Sequence, residues 1–310
     1  MISIVIPLYN KRETVARALR SVLGQTVQEF DVVVVDDGST DGSADIVLSF
    51  AEPRIRIITQ PNSGVSAARN RGIREASSEM IAFLDADDEW LPTFLESILA
   101  LRSKFPECGI YATSYFLQGV GGQRHERVLN GVEDSTVQIA LDDYFLTAAQ
   151  SNSPVWSSAV AVRKEDLSAV GCFPVGIKSG EDLLTWSRLA ARKQVALFQC
   201  PLAVYHQDPV TAGGLPSRMP DPLDRVGKGL RDLLDSIPTD RKPSLRKYVG
   251  LWYKMRASIY LRLGNRLQGA LECSKAIRFW PSNTLLYLQL FACLLPLKVV
   301  RWLSVKRGLK

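Results

Sequence analysis

Two rhythms alternate along the first hundred residues. ISIVIPL (2–8), FDVVVVDDG (30–38), IRIITQ (55–60) and MIAFL (80–84) carry short unbroken apolar runs. Such runs, rich in Val and Ile, predict strands covered on both faces. Between them lie stretches with helical spacing. Arg12–Leu23 places Val15, Leu19 and Val22 on one side, and SADIVLSFA (43–51) and SGVSAARNRGIREAS (63–77) follow the same period. A β-α-β-α-β-α-β order predicts a parallel, doubly wound sheet, whose ligands bind beyond the carboxyl ends of the strands. The polar clusters Tyr9-Asn10, Asp36-Asp37 and Asp85 to Asp88 fall at those ends.

The pattern is less regular further on. Residues 118–135 are polar and Gly-rich and predict a loop or hairpin. Residues 155–173 read as a strand followed by a short helix, and GEDLLTWSRLAARK (180–193) as an amphipathic helix. A Pro- and Gly-rich break over 208–222 predicts a boundary between a domain at 1–215 and a helical region at 216–310. Within that region, 253–281 resembles one degenerate tetratricopeptide hairpin, with Ala257, Tyr260, Gly264, Ala276 and Pro281 at the repeat's spacing and Gly269 in place of the usual Ala. Residues 285–303 are the most apolar stretch, yet Gln289, Pro296, Lys298 and Arg301 interrupt it. A spanning helix needs about 20 clean apolar residues. The expectation is an amphipathic helix lying on a membrane or docking a partner, its basic end (Lys298, Arg301, Lys306, Arg307) meeting anionic headgroups.

Charge sharpens this division. The net charge is +6, but from Arg225 to Lys310 there are 18 Lys and Arg against 4 acids, so the rest of the chain is acidic. A basic tail suits an anionic surface such as lipid, or is a solvated helical face. No recognition motif or basic stripe interleaved with aromatics points to nucleic acid. The five Cys are scattered without a CxxC pair, which excludes a zinc site or disulfide framework of recognisable spacing. No basic n-region with a small-residue cleavage site opens the chain. The expected location is cytoplasmic, peripheral to the inner face of a membrane.

MIAFLDADDEW (80–90) places Asp85, Asp87, Asp88 and Glu89 directly after a strand. Alone, this is either a solvated acidic turn or a seat for a hard divalent cation. A GxGxxG after the first strand is missing, which argues against a dehydrogenase, and a nucleotidyltransferase lacks its Gly-rich phosphate loop. In order along about residues 1–210, PLYN, VVDDGSTDGS, SGVSAARNRG, FLDADDEW and GEDLLTWSRL strongly resemble glycosyltransferase family 2. These are inverting sugar transferases with the GT-A fold.

The resemblance implies a Rossmann-like, mixed, mainly parallel α/β sheet flanked by helices, followed here by the α-helical region. It implies a UDP-linked nucleotide-sugar donor, Mn²⁺ or Mg²⁺, and a glycan or lipid-linked acceptor. Pro7 and Tyr9 match the base-lining segment. Asp37 matches the acceptor of a uracil N3–H, with Asp36 supporting the turn or touching the base. Asn62, Arg69 and Asn70 match the loop and helix below the nucleotide. Asp85 and Asp87 form the D-x-D, the first facing ribose or donor sugar and the second the metal. Asp88 lies beside the sugar or orients its neighbours. Asp182 matches the base that takes the acceptor hydroxyl proton, supported by Glu181. His206, competing with Asp208, matches a third metal-ligand position. Trp156 and Trp186 either stack on sugar or belong to the core. A catalytically inactive scaffold working through its helical tail is the alternative.

Overall fold

A computed structural model describes residues 1–132, 137–207 and 219–295. The chain divides into two compact units, Met1–His206 and Gln207–Lys310. The boundary expected at 215, and Asp208, lie outside the described residues, as do Pro296 and the basic residues after it.

The first unit is built on one mixed sheet. Its strands are β1 (Ile2–Leu8), β2 (Phe30–Asp36), β3 (Ile55–Thr59), β4 (Met80–Phe83), β5 (Glu89–Trp90), β6 (Ile110–Gln118), β7 (Arg124–Glu126), β8 (Gln138–Ala140), β9 (Val160–Arg163) and β10 (Val195–His206). The order is β3-β2-β1-β4-β9-β6-β10-β5, with β7 on β6 and β8 on β10. β1 pairs in parallel with β2 and β4, β2 with β3, and β6 with β10. β9 runs antiparallel between β4 and β6, which makes the sheet mixed. The residues 118–135 open as the expected hairpin, β7 returning along β6.

Helices α1 (Val15–Leu23), α2 (Ser43–Ser49), α3 (Val65–Glu75), α4 (Phe94–Lys104), α5 (Tyr144–Gln150), α6 (Lys164–Ala169) and α7 (Glu181–Ala190) complete the unit. On α1, Val15, Ala18, Leu19 and Val22 are the buried face, as their spacing dictates. α3 lies so close to the sheet that a Cβ on Gly72 would come within 2.3 Å of Val5, which requires glycine there. Pro7 fits in β1 because the pairing with β4 already ends at Val5, so no ladder bond on that side needs its missing N–H. β10 changes register around Pro201, a bulge that bends the strand before Tyr205 and His206.

The second unit is helical where it is described: α8 (Arg225–Ser236), α9 (Lys242–Arg262), α10 (Arg266–Phe279) and α11 (Thr284–Leu294). α9 and α10 pack as a hairpin, but α9 begins at Lys242, well before the start of the repeat read from sequence. Leu245, Val249, Ala257, Cys273, Ala276 and Leu286 close its core.

Candidate active site

The site grows from the carboxyl ends of β1, β2 and β4. At the end of β2, Asp36 and Asp37 are each 3% exposed. Asp36 accepts from the Ser39 amide at 3.0 Å and holds the turn. Asp37 accepts from Gln60 Nε2 (2.8 Å), the Ser63 amide (2.9 Å) and the Gly64 amide (2.8 Å). A carboxylate has about four lone-pair sites, so Asp37 first fastens the 60–64 loop and keeps about one site for a further donor. Gly38, at φ +77°, makes the crossing possible: a Cβ there would press the Asn62 amide at 3.1 Å. Tyr9 and Asn62 stand exposed at the rim, with Pro7 partly covered behind them.

Arg69, on α3, is the hub. It is 3% exposed, and its guanidinium reaches Asp85 Oδ1 at 2.7 Å and Glu181 Oε1 at 3.3 Å while lying over the Phe173 ring. Burial opposes its charge, but Asp85, Glu181 and Asp182 outweigh that and hold its pKa above the ordinary range. Asn70, its neighbour, clamps the Phe173 backbone with two hydrogen bonds and does not face the carboxylates. Burial pushes the Glu181 pKa up to about 7, with Asp182 adding and Arg69 opposing. Burial also raises Asp85, against Arg69 and together with Asp87. One buried cation therefore serves a crowd of carboxylates, which leaves the cluster short of positive charge.

Asp87 is the outward-facing member. Its side chain keeps 32% of its surface, and Lys11 Nζ donates to Oδ2 at 2.5 Å. Asp88 is 1% exposed and points inward, accepting from Ser158 Oγ (2.6 Å) and the His206 amide (3.1 Å). Burial pushes its pKa well above the carboxylate range, and Asp87 and Asp85 add to this. Asp88 thus has one oxygen on the Ser158 hydroxyl and the other on the His206 amide. His206 turns its Nε2 to Glu89 at 3.3 Å and its Nδ1 to Gln118 at 3.3 Å. Burial lowers its pKa, with Arg17 adding to this. His206 thus turns its two ring nitrogens to Glu89 and Gln118, and among the described residues no group of three His, Cys, Asp or Glu side chains converges for a metal. Asp85 is held by the Arg69 guanidinium and Asp87 by the Lys11 ammonium, so each of these carboxylates already faces a cation.

Asp182 begins α7 beside Glu181 and is part-exposed, receiving Ser157 Oγ at 3.3 Å. Nearby, Tyr115, Trp156 and Tyr205 form a row with ring centroids 5.0 Å apart at each step. Asp182 and Tyr205 both help to raise the Tyr115 pKa, after burial and against Arg127. Trp156 keeps part of its surface, whereas Trp186 is 1% exposed against Phe83 and Phe173 and is core. Lys11, Ser157, Ser158, Tyr115 and Tyr205 are the site residues that the sequence reading missed. Of these, only the Ser pair following Trp156 (VWSS) carries a local pattern of polar residues before an apolar strand.

An α/β domain that gathers acids at the carboxyl ends of its strands has the form of a nucleotide-binding enzyme. Residues 3–150 match the family model for glycosyl transferase family 2. The chain is 29% identical over 192 residues to the putative teichuronic acid biosynthesis glycosyltransferase TuaG of Bacillus subtilis, covering 61% of this chain and 71% of that one. It is 37% identical over 105 residues to the UDP-Glc:alpha-D-GlcNAc-diphosphoundecaprenol beta-1,3-glucosyltransferase WfgD of Escherichia coli, covering 34% and 42%. Several other curated glycosyltransferases are matched over 26% to 53% of their length. S. aureus TarS, residues 1–349 in complex with UDP-GlcNAc, superposes with a TM-score of 0.68 at 18% identity, over 99% of this chain and 92% of that one. The fold is GT-A.

Proposed function

We propose that the chain is a metal-dependent, inverting glycosyltransferase that moves a sugar from a UDP-linked donor to a lipid-linked or glycan acceptor. The observation that carries this reading is the convergence on Arg69 of Asp85, from the end of β4, and Glu181, from the start of α7. Arg69, 112 positions before Glu181, thereby joins the donor-side acids to the acceptor-side pair. The names of WfgD and of the TarS complex support a UDP-sugar donor, and WfgD supports a lipid-linked acceptor.

In this reading Asp85 and Asp87 would hold Mn²⁺ or Mg²⁺, which when bound neutralises a diphosphate leaving group. Asp37 offers its remaining lone pair to the base, beside Pro7 and Tyr9. Arg69 fixes Asp85 and keeps Glu181 in place. Asp182, open to the site and steadied by Ser157, takes the acceptor hydroxyl proton as that oxygen attacks the anomeric carbon. Trp156, between Tyr115 and Tyr205, offers a face to the acceptor.

Location is the finer part of the proposal. No described helix is long and apolar enough to cross a membrane. On α11, however, Leu285, Leu288, Phe291 and Leu294 are all more than half exposed, and Leu267 and Leu271 of α10 are exposed as well. An apolar stripe on a strongly basic unit suits peripheral attachment to an anionic leaflet.

A thermal-shift panel of nucleoside diphosphates and nucleotide sugars, with and without Mn²⁺, tests the assignment. UDP and UDP-sugars should stabilise the chain with metal, and the UDP-sugars should be slowly hydrolysed to UDP and free sugar. Binding without any hydrolysis or transfer would favour the inactive scaffold, and a silent panel would refute both.

A further inference from the structure

The helical unit contains a cavity of about 590 Å³ that has no part in the chemistry proposed above. It is set by three helices. Arg231 comes from α8, Arg246 and Tyr253 from α9 two turns apart on one face, and Lys275, Arg278 and Phe279 from α10 within one turn. Helical periodicity thus aims four cations into one space.

The carboxylates near this space are already committed. Asp224, which lines the cavity, accepts from Trp252 Nε1 (2.9 Å), Tyr253 OH (2.9 Å), the Gly227 amide (3.2 Å) and Arg231 (3.3 Å). Glu272, behind Lys275, pairs with Arg256 at 2.7 Å and with Lys275 at 2.8 Å. Arg256, Arg231 and Lys275 together outnumber these two acids. Arg246 and Arg278 have no carboxylate within ion-pairing distance among the described residues; Arg246 lies over the Phe279 ring, 5.5 Å from its centroid. Phe279 in turn stacks on Tyr253 with centroids 5.9 Å apart.

We infer that this cavity is a phosphate-binding site, taking a phosphate or diphosphate group carried by a larger ligand. The excess of positive charge matches a group with more than one negative charge. Two guanidinium forks on facing helices match oxygens spread around a phosphorus better than the two oxygens of a carboxylate. The inference concerns the helical unit and does not rest on the transferase assignment. Such a phosphate has two sources: a lipid headgroup, or a soluble or glycan-borne phosphate.

The test uses the full chain in metal-free buffer at constant ionic strength set with chloride. Pyrophosphate is titrated calorimetrically into the parent chain and into an Arg246→Ala/Arg278→Ala variant. Both side chains are exposed, so the variant should fold, and its unfolding midpoint serves as the check. Saturable binding is expected, weakened at least tenfold in the variant. Arg246→Lys/Arg278→Lys, which keeps charge and loses the forks, should fall between the two. Equal affinity of parent and Ala variant, or a heat signal that chloride alone reproduces, would overturn the site. Flotation with phosphatidic acid vesicles then separates the sources. Vesicle binding lost along with pyrophosphate binding assigns the site to headgroups; vesicle binding retained while pyrophosphate binding is lost assigns it to a soluble or glycan phosphate.

Discussion

The two units each bury one arginine against two carboxylates, and the difference between the clusters separates chemistry from architecture. Arg69 reaches Asp85 and Glu181, and Arg256 reaches Asp224 (3.6 Å) and Glu272 (2.7 Å); both arginines are 3% exposed. Around Arg69 the surplus is acidic: Asp87, Asp88 and Asp182 crowd the same strand and helix ends, and burial raises Asp85, Asp88 and Glu181. Around Arg256 the surplus is basic, and Asp224 is saturated by an indole, a phenol and a backbone amide. A closed cluster holds helices together. A cluster left short of cations, with Asp87 and Asp182 open to solvent, is prepared for a ligand.

Removing either arginine should have the largest effect on stability. Arg69→Ala strands Asp85 and Glu181, and Arg256→Ala strands Asp224 and Glu272. Each should cost about 3–5 kcal/mol, the scale for breaking a buried pair from one side. Chemical denaturation read together with hydrogen exchange measures this. The units should part on function: the folded fraction of Arg256→Ala should bind UDP normally, and that of Arg69→Ala should not. Equal UDP affinity in both would dissolve the distinction.

Asp182→Asn sharpens the acidic side. It should lower kcat by about 10²-fold or more while leaving donor affinity nearly unchanged, as expected for a positioned base. Unchanged turnover would move the base to Glu181.

Glu181 also supplies a pH signature. The folded chain holds its proton up to about pH 7, whereas an unperturbed Glu releases it near 4.5. The folded state therefore binds more protons between these values, and stability should fall as pH rises across that window and then level off. Glu181→Gln should flatten this segment of the unfolding profile measured without metal. A profile identical to that of the parent chain would contradict the burial argument.

How much of this was legible in the sequence followed from how local each cause was. The runs at 2–8 and 30–36 announce themselves because strands covered on both faces are apolar throughout. β10 does not, since Cys200 is exposed and Pro201 sits in a register shift, which breaks any period of two. IYATSYFLQ in β6 mixes hydroxyls into its buried face and went unassigned. Asp85, Asp87, Glu181 and Asp182 were readable as motifs. The centrality of Arg69 was not, because its partners are 16 and 112 residues away. Lys11 reads as a solvated charge after a strand until folding brings it to Asp87, 76 positions on. Trp186 shows the opposite case: an aromatic placed like a sugar platform is claimed by Phe83 and Phe173.

The smallest effect should come from the apolar stripe of the basic unit. Leu288→Glu/Phe291→Glu should reduce flotation with anionic vesicles severalfold, and salt should weaken parent binding as its charges are screened. Equal flotation with neutral and anionic lipid would leave the stripe to a protein partner.

The central claim is that the acidic surplus around Arg69 receives a metal-bound nucleoside diphosphate. Calorimetric titration of UDP into the full chain, in Mn²⁺ and in EDTA, with Asp87→Ala alongside, tests it most directly. The expected result is tight binding in Mn²⁺ that weakens in EDTA, and an Asp87→Ala chain that binds weakly in both. Equal UDP affinity of the parent chain in Mn²⁺ and EDTA would contradict it.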